Sequence, residues 1–121
     1  MKVKIDTKQQ MHVITIVEKK LSANMTEEIK NQLLKFLTVP VKNLVVNLKE
    51  VTETELMAAE ALSSIQQTFY EANHSLVFCN LQPAVSDFLE KNELLEIMNV
   101  TPTESEAWDI VQMEEIEREY L

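Results

Sequence analysis

The sequence predicts an α/β domain: a mostly parallel sheet of about five strands with an edge hairpin strand, and about four helices. Three observations lead there. Short β-branched runs alternate along the chain with stretches whose apolar residues recur at helical spacing. Two of those runs stand together at the start, as a hairpin does. The later runs, residues 43–48 (NLVVNL) and 75–80 (SLVFCN), are almost continuously apolar, the pattern of strands covered on both faces. Strands separated by helices are joined by right-handed crossovers, which makes their pairing parallel.

Val3 and Ile5 alternate with Lys2, Lys4 and Asp6 in a half-exposed first strand. Residues 7–10 make a short turn, and residues 11–17 (MHVITIV) form the second strand. The polar stretch KKLSANMTEE follows, in which Asn24 or Thr26 is placed to cap a helix and Glu27 and Glu28 suit its positive end. Met25, Ile29, Leu33, Phe36 and Leu37 form its apolar stripe to about Thr38, and Pro40 follows the stop. A second helix is expected over residues 54–72, with Leu56, Ala59, Leu62, Ile65 or Gln66, and Phe69 inward. Pro83 opens a short helix to Lys91 with Val85, Phe88 and Leu89 inward. Residues 94–100 (LLEIMNV) read as the last strand, and Thr103 with Glu106 has capping-box spacing for a final helix buried through Ala107, Trp108, Ile110 and Val111.

A chain of 121 residues is the size of one domain, with 45% hydrophobic and 26% charged residues, ordinary for a globular protein. The domain is expected over residues 1–113, with 114–121 an acidic helix end or tail. Eleven basic against twenty acidic residues give a net charge of -9, which repels nucleic acid and anionic membrane surfaces. The acidity is uneven: Glu104, Glu106, Asp109, Glu114, Glu115, Glu117 and Glu119 face a single base, Arg118, in the last stretch. No apolar run approaches the eighteen or so residues of a membrane span, and MKVKIDTKQQ lacks the apolar segment of a signal peptide. The lone Cys79 lies in an apolar run, as a reduced buried thiol does. These features together predict a cytoplasmic protein.

The chain has no glycine, where average usage of ~7% would place about eight. Glycine-rich phosphate loops, dinucleotide fingerprints and nucleophile elbows are thereby excluded. Turns that need a positive φ fall to Asn24, Asn73, Asn80 or Asn92. No catalytic or metal-binding constellation emerges. His12 and His74 are about sixty residues apart, and neither has a ligand-type neighbour at i+2 to i+4. The acid pairs Glu27–Glu28, Glu53–Glu55 and Glu114–Glu115 read as first-turn or solvated residues, and Met25, Met57, Met98 and Met113 as core filler. No cofactor is implied, and the expectation is a protein that is not an enzyme.

The junction LKEVTETELMAAEAL, residues 48–62, is the most informative stretch. Thr52 and Glu55 have capping-box spacing, and Thr54 is a second possible N-cap. Leu56 and Met57 beside so many acids make the alternative reading an exposed apolar docking patch.

The order of elements, together with LVVNLKEVT, this junction, SLVFCN and LQPAVSDFLEKNELLEIMNV, resembles the STAS domain of anti-sigma factor antagonists, also found in sulphate transporters. The resemblance covers nearly the whole chain and implies the STAS-like fold. It also implies a non-catalytic module that docks a protein partner: an anti-sigma factor of serine kinase-like ATPase fold, or a STAS-containing scaffold. By that resemblance Thr52, Glu53, Thr54, Glu55, Leu56, Met57, Ala59 and Glu60 would meet the partner, with Thr52 to Glu55 as a polar rim. The family's phosphorylatable serine falls on Leu56, with its preceding aspartate on Glu55, the next hydroxyl on Met57 and its glycine on Ala58. Leucine has no hydroxyl, so the family's phosphate switch is absent at that position. The alternatives are an adaptor subunit of a STAS-containing or transporter-associated complex, a homodimer, or a nucleotide or lipid binder. For the last, Lys49 is the nearest cation and no phosphate cradle accompanies it.

Overall fold

The computed structural model describes residues 1–8 and 10–120. Its central sheet contains β1 (Val3–Thr7), β2 (His12–Ile16), β4 (Asn43–Asn47), β6 (Ser75–Cys79) and β7 (Val100–Thr101), in that spatial order. β1 pairs antiparallel with β2, and the three remaining pairings are parallel. Lys8 N–H donates to Met11 C=O at 2.8 Å across the hairpin turn, whose Gln9 lies outside the described residues. Two further strands of two residues each, β3 (Lys20–Leu21) and β5 (Glu53–Thr54), pair parallel with one another apart from this sheet. Four α-helices are present among the described residues: α1 (Thr26–Leu34), α2 (Leu56–Glu71), α3 (Pro83–Lys91) and α4 (Glu104–Tyr120). The order and the mixed, mostly parallel sheet are those expected.

Side-chain alternation divides the core into two. Ile14, Ile16, Leu44, Val46, Leu76 and Phe78 point to one face, where Ile29 and Leu33 of α1, Leu62, Ile65 and Phe69 of α2, and Val85 and Leu89 of α3 cover them. Val13, Val45, Val77 and Cys79 point to the other face and pack on Ala107 and Val111 of α4. Every residue of β4 and β6 is buried, as their continuous apolar runs required. α1 tightens into a 3₁₀ turn over Lys35–Thr38 and stops at an extended Val39, the conformation favoured before Pro40.

The second face also carries buried polar residues, and α4 satisfies them. Glu104 accepts from Asn47 Nδ2 at 2.9 Å at one end of the helix. At the other end Glu114 accepts from Ser75 Oγ at 2.6 Å and from Tyr70 Oη at 2.7 Å, while Glu115 accepts from Asn43 Nδ2 at 2.8 Å. Arg118 donates to Ser75 Oγ at 2.6 Å. Burial and the Glu114 carboxylate push the Tyr70 phenol above its usual range. Residues 114–120 therefore continue α4 without a break and hold it to the sheet.

The expected last strand over 94–100 is not formed. Leu94 and Met98 are buried four residues apart, and Leu95–Ile97 makes a 3₁₀ turn between them. Gln66 of α2 clamps its far side, donating to Ile97 C=O at 3.0 Å and accepting from Asn99 N–H at 2.7 Å. Side-chain bonds replace strand neighbours over 94–98, and the chain meets β6 only at its end, where Asn99 C=O accepts from Phe78 N–H at 2.8 Å and Val100–Thr101 pairs as β7.

Positive φ occurs at Asn73 (61°), Asn80 (58°) and Glu93 (59°), not at Asn24 or Asn92. At Asn73 and Glu93 the helix closes with a six-residue wrap: His74 N–H donates to Phe69 C=O, and Leu94 N–H to Leu89 C=O, both at 2.9 Å. Asn92 instead caps α3 through its side chain, to Phe88 C=O at 2.8 Å, and leaves the left-handed position to Glu93. Glu93 suffers there from its Cβ and from its charge at the negative end of α3. Replacing Glu93 with Gly should raise unfolding stability by about 1 kcal/mol in urea titrations.

His74 is buried against the edge of Phe69, and its Nδ1 finds no partner among the described residues. Burial lowers its proton affinity, and Lys42 and Arg118 lower it further. The unfolded chain therefore binds the proton more tightly. Stability is intact above the unfolded imidazole value of about 6.5 and falls as pH drops below it. His74→Leu should flatten the loss of stability between about pH 7 and pH 5, as read by urea unfolding at each pH; an unchanged slope would refute the assignment.

Candidate functional site

The corner predicted from the sequence lies at the carboxyl ends of the parallel strands, where α/β sheets place their binding crevices. β4 leaves the sheet at Asn47, whose Oδ1 accepts from Lys49 N–H at 2.9 Å. A turn closed from Val51 N–H to Leu48 C=O at 3.0 Å follows. Gln82, at the start of α3, donates to Lys49 C=O at 2.6 Å and ties the neighbouring strand–helix loop to this one.

The Thr52–Glu55 capping box does not form. Thr52 instead donates through both its N–H (2.8 Å) and its hydroxyl (3.1 Å) to Lys19 C=O. The chain then runs as β5 beside β3, with Lys20 and Glu53 paired at 3.5 Å. Glu55 N–H donates to Leu21 C=O at 2.8 Å. Glu55, not Thr54, is the N-cap of α2, and no side chain caps that helix. The Glu55 carboxylate reaches across to Ala23 N–H at 2.7 Å. The strand pairing wins because it satisfies successive backbone groups of two loops, where a capping box satisfies two.

This pairing sorts the predicted contact residues. Thr52, Glu53, Glu55, Leu56, Met57 and Glu60 are exposed. Thr54 and Ala59 are buried and offer no surface, which corrects their assignment as contacts: Thr54 turns under the β3–β5 bridge, and Ala59 packs into the α2 face of the core. Leu56, expected inward, is exposed, and Ala58 joins Ala59 in the buried stripe instead. At the first two positions of α2, Leu56 is 43% exposed and Met57 59% exposed. An apolar pair thus stands at a helix start, with carboxylates at 53, 55 and 60 around it. Sequence reasoning missed Lys19, Lys20 and Ala23, the residues that hold this corner. A two-residue strand shows no periodicity, so Leu21 following two lysines was its only trace.

The other sequence candidates do not gather. His12 lies in β2, with Nδ1 2.9 Å from Thr7 Oγ1 and its ring on Phe36. Cys79 is buried in β6, and burial pushes its thiol up to about 12, so it stays protonated near neutrality. Glu114 and Glu115 point to different partners, Ser75 and Asn43. Among the described residues no three His, Cys, Asp or Glu side chains cluster as metal ligands, and no helix is long and apolar enough to cross a membrane.

With this geometry in place, the comparisons with known proteins become specific. The family model of the STAS domain matches residues 2–107. No curated protein matches the chain in sequence. Among solved structures, unphosphorylated SpoIIAA of Bacillus, an anti-sigma factor antagonist, is 16% identical over 92% of this chain and 96% of its own, with a TM-score of 0.72. An anti-sigma factor antagonist from Mycobacterium paratuberculosis is 12% identical, covering 92% and 93%, with a TM-score of 0.79. Murine Slc26a9, an anion transporter, is 15% identical over 89% of this chain and 18% of its own, with a TM-score of 0.75. At these identities the structures speak to the fold, and the family match speaks to membership. The chain belongs to the STAS domain family.

Proposed function

We propose that this STAS domain is a non-catalytic docking module of the anti-sigma factor antagonist type, acting in the cytoplasm. Its partner is an anti-sigma factor of serine kinase-like ATPase fold, or a STAS-containing scaffold. The partner sits on Leu56 and Met57, with Thr52, Glu53, Glu55 and Glu60 as the polar rim. One observation carries the reading: an exposed apolar pair stands at the first turn of α2, on a corner held rigid by the β3–β5 bridge and the Glu55–Ala23 bond. A backbone already held in place spares the complex the cost of ordering this loop on binding. A hydroxyl at residue 56 would let a phosphate bring nearly two negative charges into the contact; leucine removes that switch. The surface is then available whenever the protein is present. The burial of the Cys79 thiol, which keeps it protonated and away from solvent, supports this reading over a thiol-dependent enzyme.

The likeness to the STAS portion of an anion transporter favours one second reading, an adaptor subunit in a transporter-associated assembly. A homodimer through the same apolar pair is the remaining alternative. Tagged protein should recover an ATPase-fold anti-sigma factor or a STAS-containing scaffold from host lysate, with the bait's intact mass unchanged. Leu56→Asp with Met57→Asp should abolish that recovery while shifting stability by no more than about 0.5 kcal/mol, since both side chains are exposed. Undiminished recovery by the double variant would refute the docking surface. Recovery of transporter subunits would establish the second reading instead.

A further inference from the structure

Helix α4 is fastened to the sheet along one side; its outer side carries Glu106 and Asp109 in the first half and apolar residues in the last two turns. Ala107, Val111, Glu114, Glu115 and Arg118 face the sheet through the packing and bonds described above. On the opposite side Met113 is 59%, Ile116 56% and Tyr120 81% exposed. At ~100° per residue these three lie along one line, directly opposite the buried side. Their spacing of three and then four is the a-d-a spacing of a heptad seam. With Met113 at a, the d position is Ile116 and the next a is Tyr120. Glu114, Glu115 and Arg118 then occupy b, c and f, which point away from a seam, and in this structure they bond the sheet. The e position is Glu117 and the g positions are Gln112 and Glu119, all exposed.

These two glutamates identify the kind of partner. In a parallel pair of helices g faces e of the other chain, and in an antiparallel pair e faces e and g faces g. In an antiparallel pair a second copy of this helix would set glutamate against glutamate, and in a parallel pair Glu117 would meet Gln112 and gain no ion pair, in a protein already carrying a net charge of -9. We propose that the outer face of α4 is a docking seam for another protein's amphipathic helix, one with apolar a and d residues and Lys or Arg at e and g. This surface is separate from the Leu56–Met57 corner, so a helical partner segment and a corner partner can be bound together.

The test uses the full chain and two synthetic probes. Both are three-heptad helical peptides with Ile at a and Leu at d; one carries Lys at e and g, its twin Glu. In fluorescence anisotropy the lysine peptide should bind and the glutamate twin should not. Ile116→Glu should weaken the lysine peptide at least about tenfold, while Leu56→Asp with Met57→Asp should leave it unchanged. Glu117→Lys with Glu119→Lys should reverse the preference toward the glutamate peptide, a gain that neither misfolding nor general charge attraction produces. Absence of lysine-peptide binding would overturn the proposal. So would a preference that survives the charge reversal, or a loss caused by the corner variant alone. A mass that grows with concentration and returns to that of one chain in Ile116→Glu would assign the seam to a second copy and overturn it equally.

Discussion

Burial of β4 and β6 on both faces is the constraint from which the rest of this structure follows. Each residue of these strands is buried, so neither face tolerates solvent and each needs its own layer. Three helices supply the first layer. The second is α4 alone, and a single helix covers only part of a five-stranded sheet. Its apolar footing is small, Ala107 and Val111 with help from Trp108 and Ile110. Polar bonds at both ends complete it: Glu104 to Asn47 at one, and Glu114, Glu115 and Arg118 to Ser75 and Asn43 at the other. The acidity of the last helix is thus partly architectural. The carboxylates of Glu104, Glu114 and Glu115 face inward to strand hydroxyls and amides, which would cost about 1–3 kcal/mol each if buried without partners.

The corner is governed by a smaller device of the same kind. Two backbone segments that would otherwise be loops, around Lys20 and around Glu53, satisfy one another as a two-residue parallel bridge. Glu55 then bonds the backbone of Ala23 and carries no cap for its own helix. Leu56 and Met57 are lifted outward on a rigid step. Rigidity matters for docking because a backbone already in place loses little entropy when a partner covers it. The glycine-free chain manages its turns at some strain: asparagine takes the left-handed position at residues 73 and 80, and a glutamate takes it at residue 93.

Much of this was legible beforehand because it rests on local periodicity. The continuous apolar runs at 43–48 and 75–80 identified strands buried on both faces. The 3.6-residue stripes identified α1 and α2, and Pro83 marked the first residue of α3. Thr103 accepts from Glu106 N–H at 3.2 Å, as its spacing suggested. The order of these elements, together with their loops, also carried the resemblance to the family. The segment at 94–100 misled for a physical reason. Its apolar residues suit a strand or a turn equally, and Gln66, some thirty residues earlier in the chain, decides between them by bonding Ile97 and Asn99.

At the candidate site the division is sharper. From the sequence came the stretch itself, its acids and the adjoining Leu56 and Met57, because residue identity determines these, and the resemblance to the family supplied the missing hydroxyl at Leu56. Helix phase placed Leu56 inward, and the tertiary structure exposes it. Which of the eight residues at 52–60 reach solvent was decided only by tertiary structure. The bridge to Lys20 and Leu21 turns Thr54 inward, and the core takes Ala59. Pairing between segments more than thirty residues apart leaves no local pattern, since each satisfies backbone groups that every residue carries. The outer face of α4 follows the same logic: the spacing of Met113, Ile116 and Tyr120 is written in the chain, but only the bonds from Glu114, Glu115 and Arg118 to the sheet decide that this side is the one left uncovered.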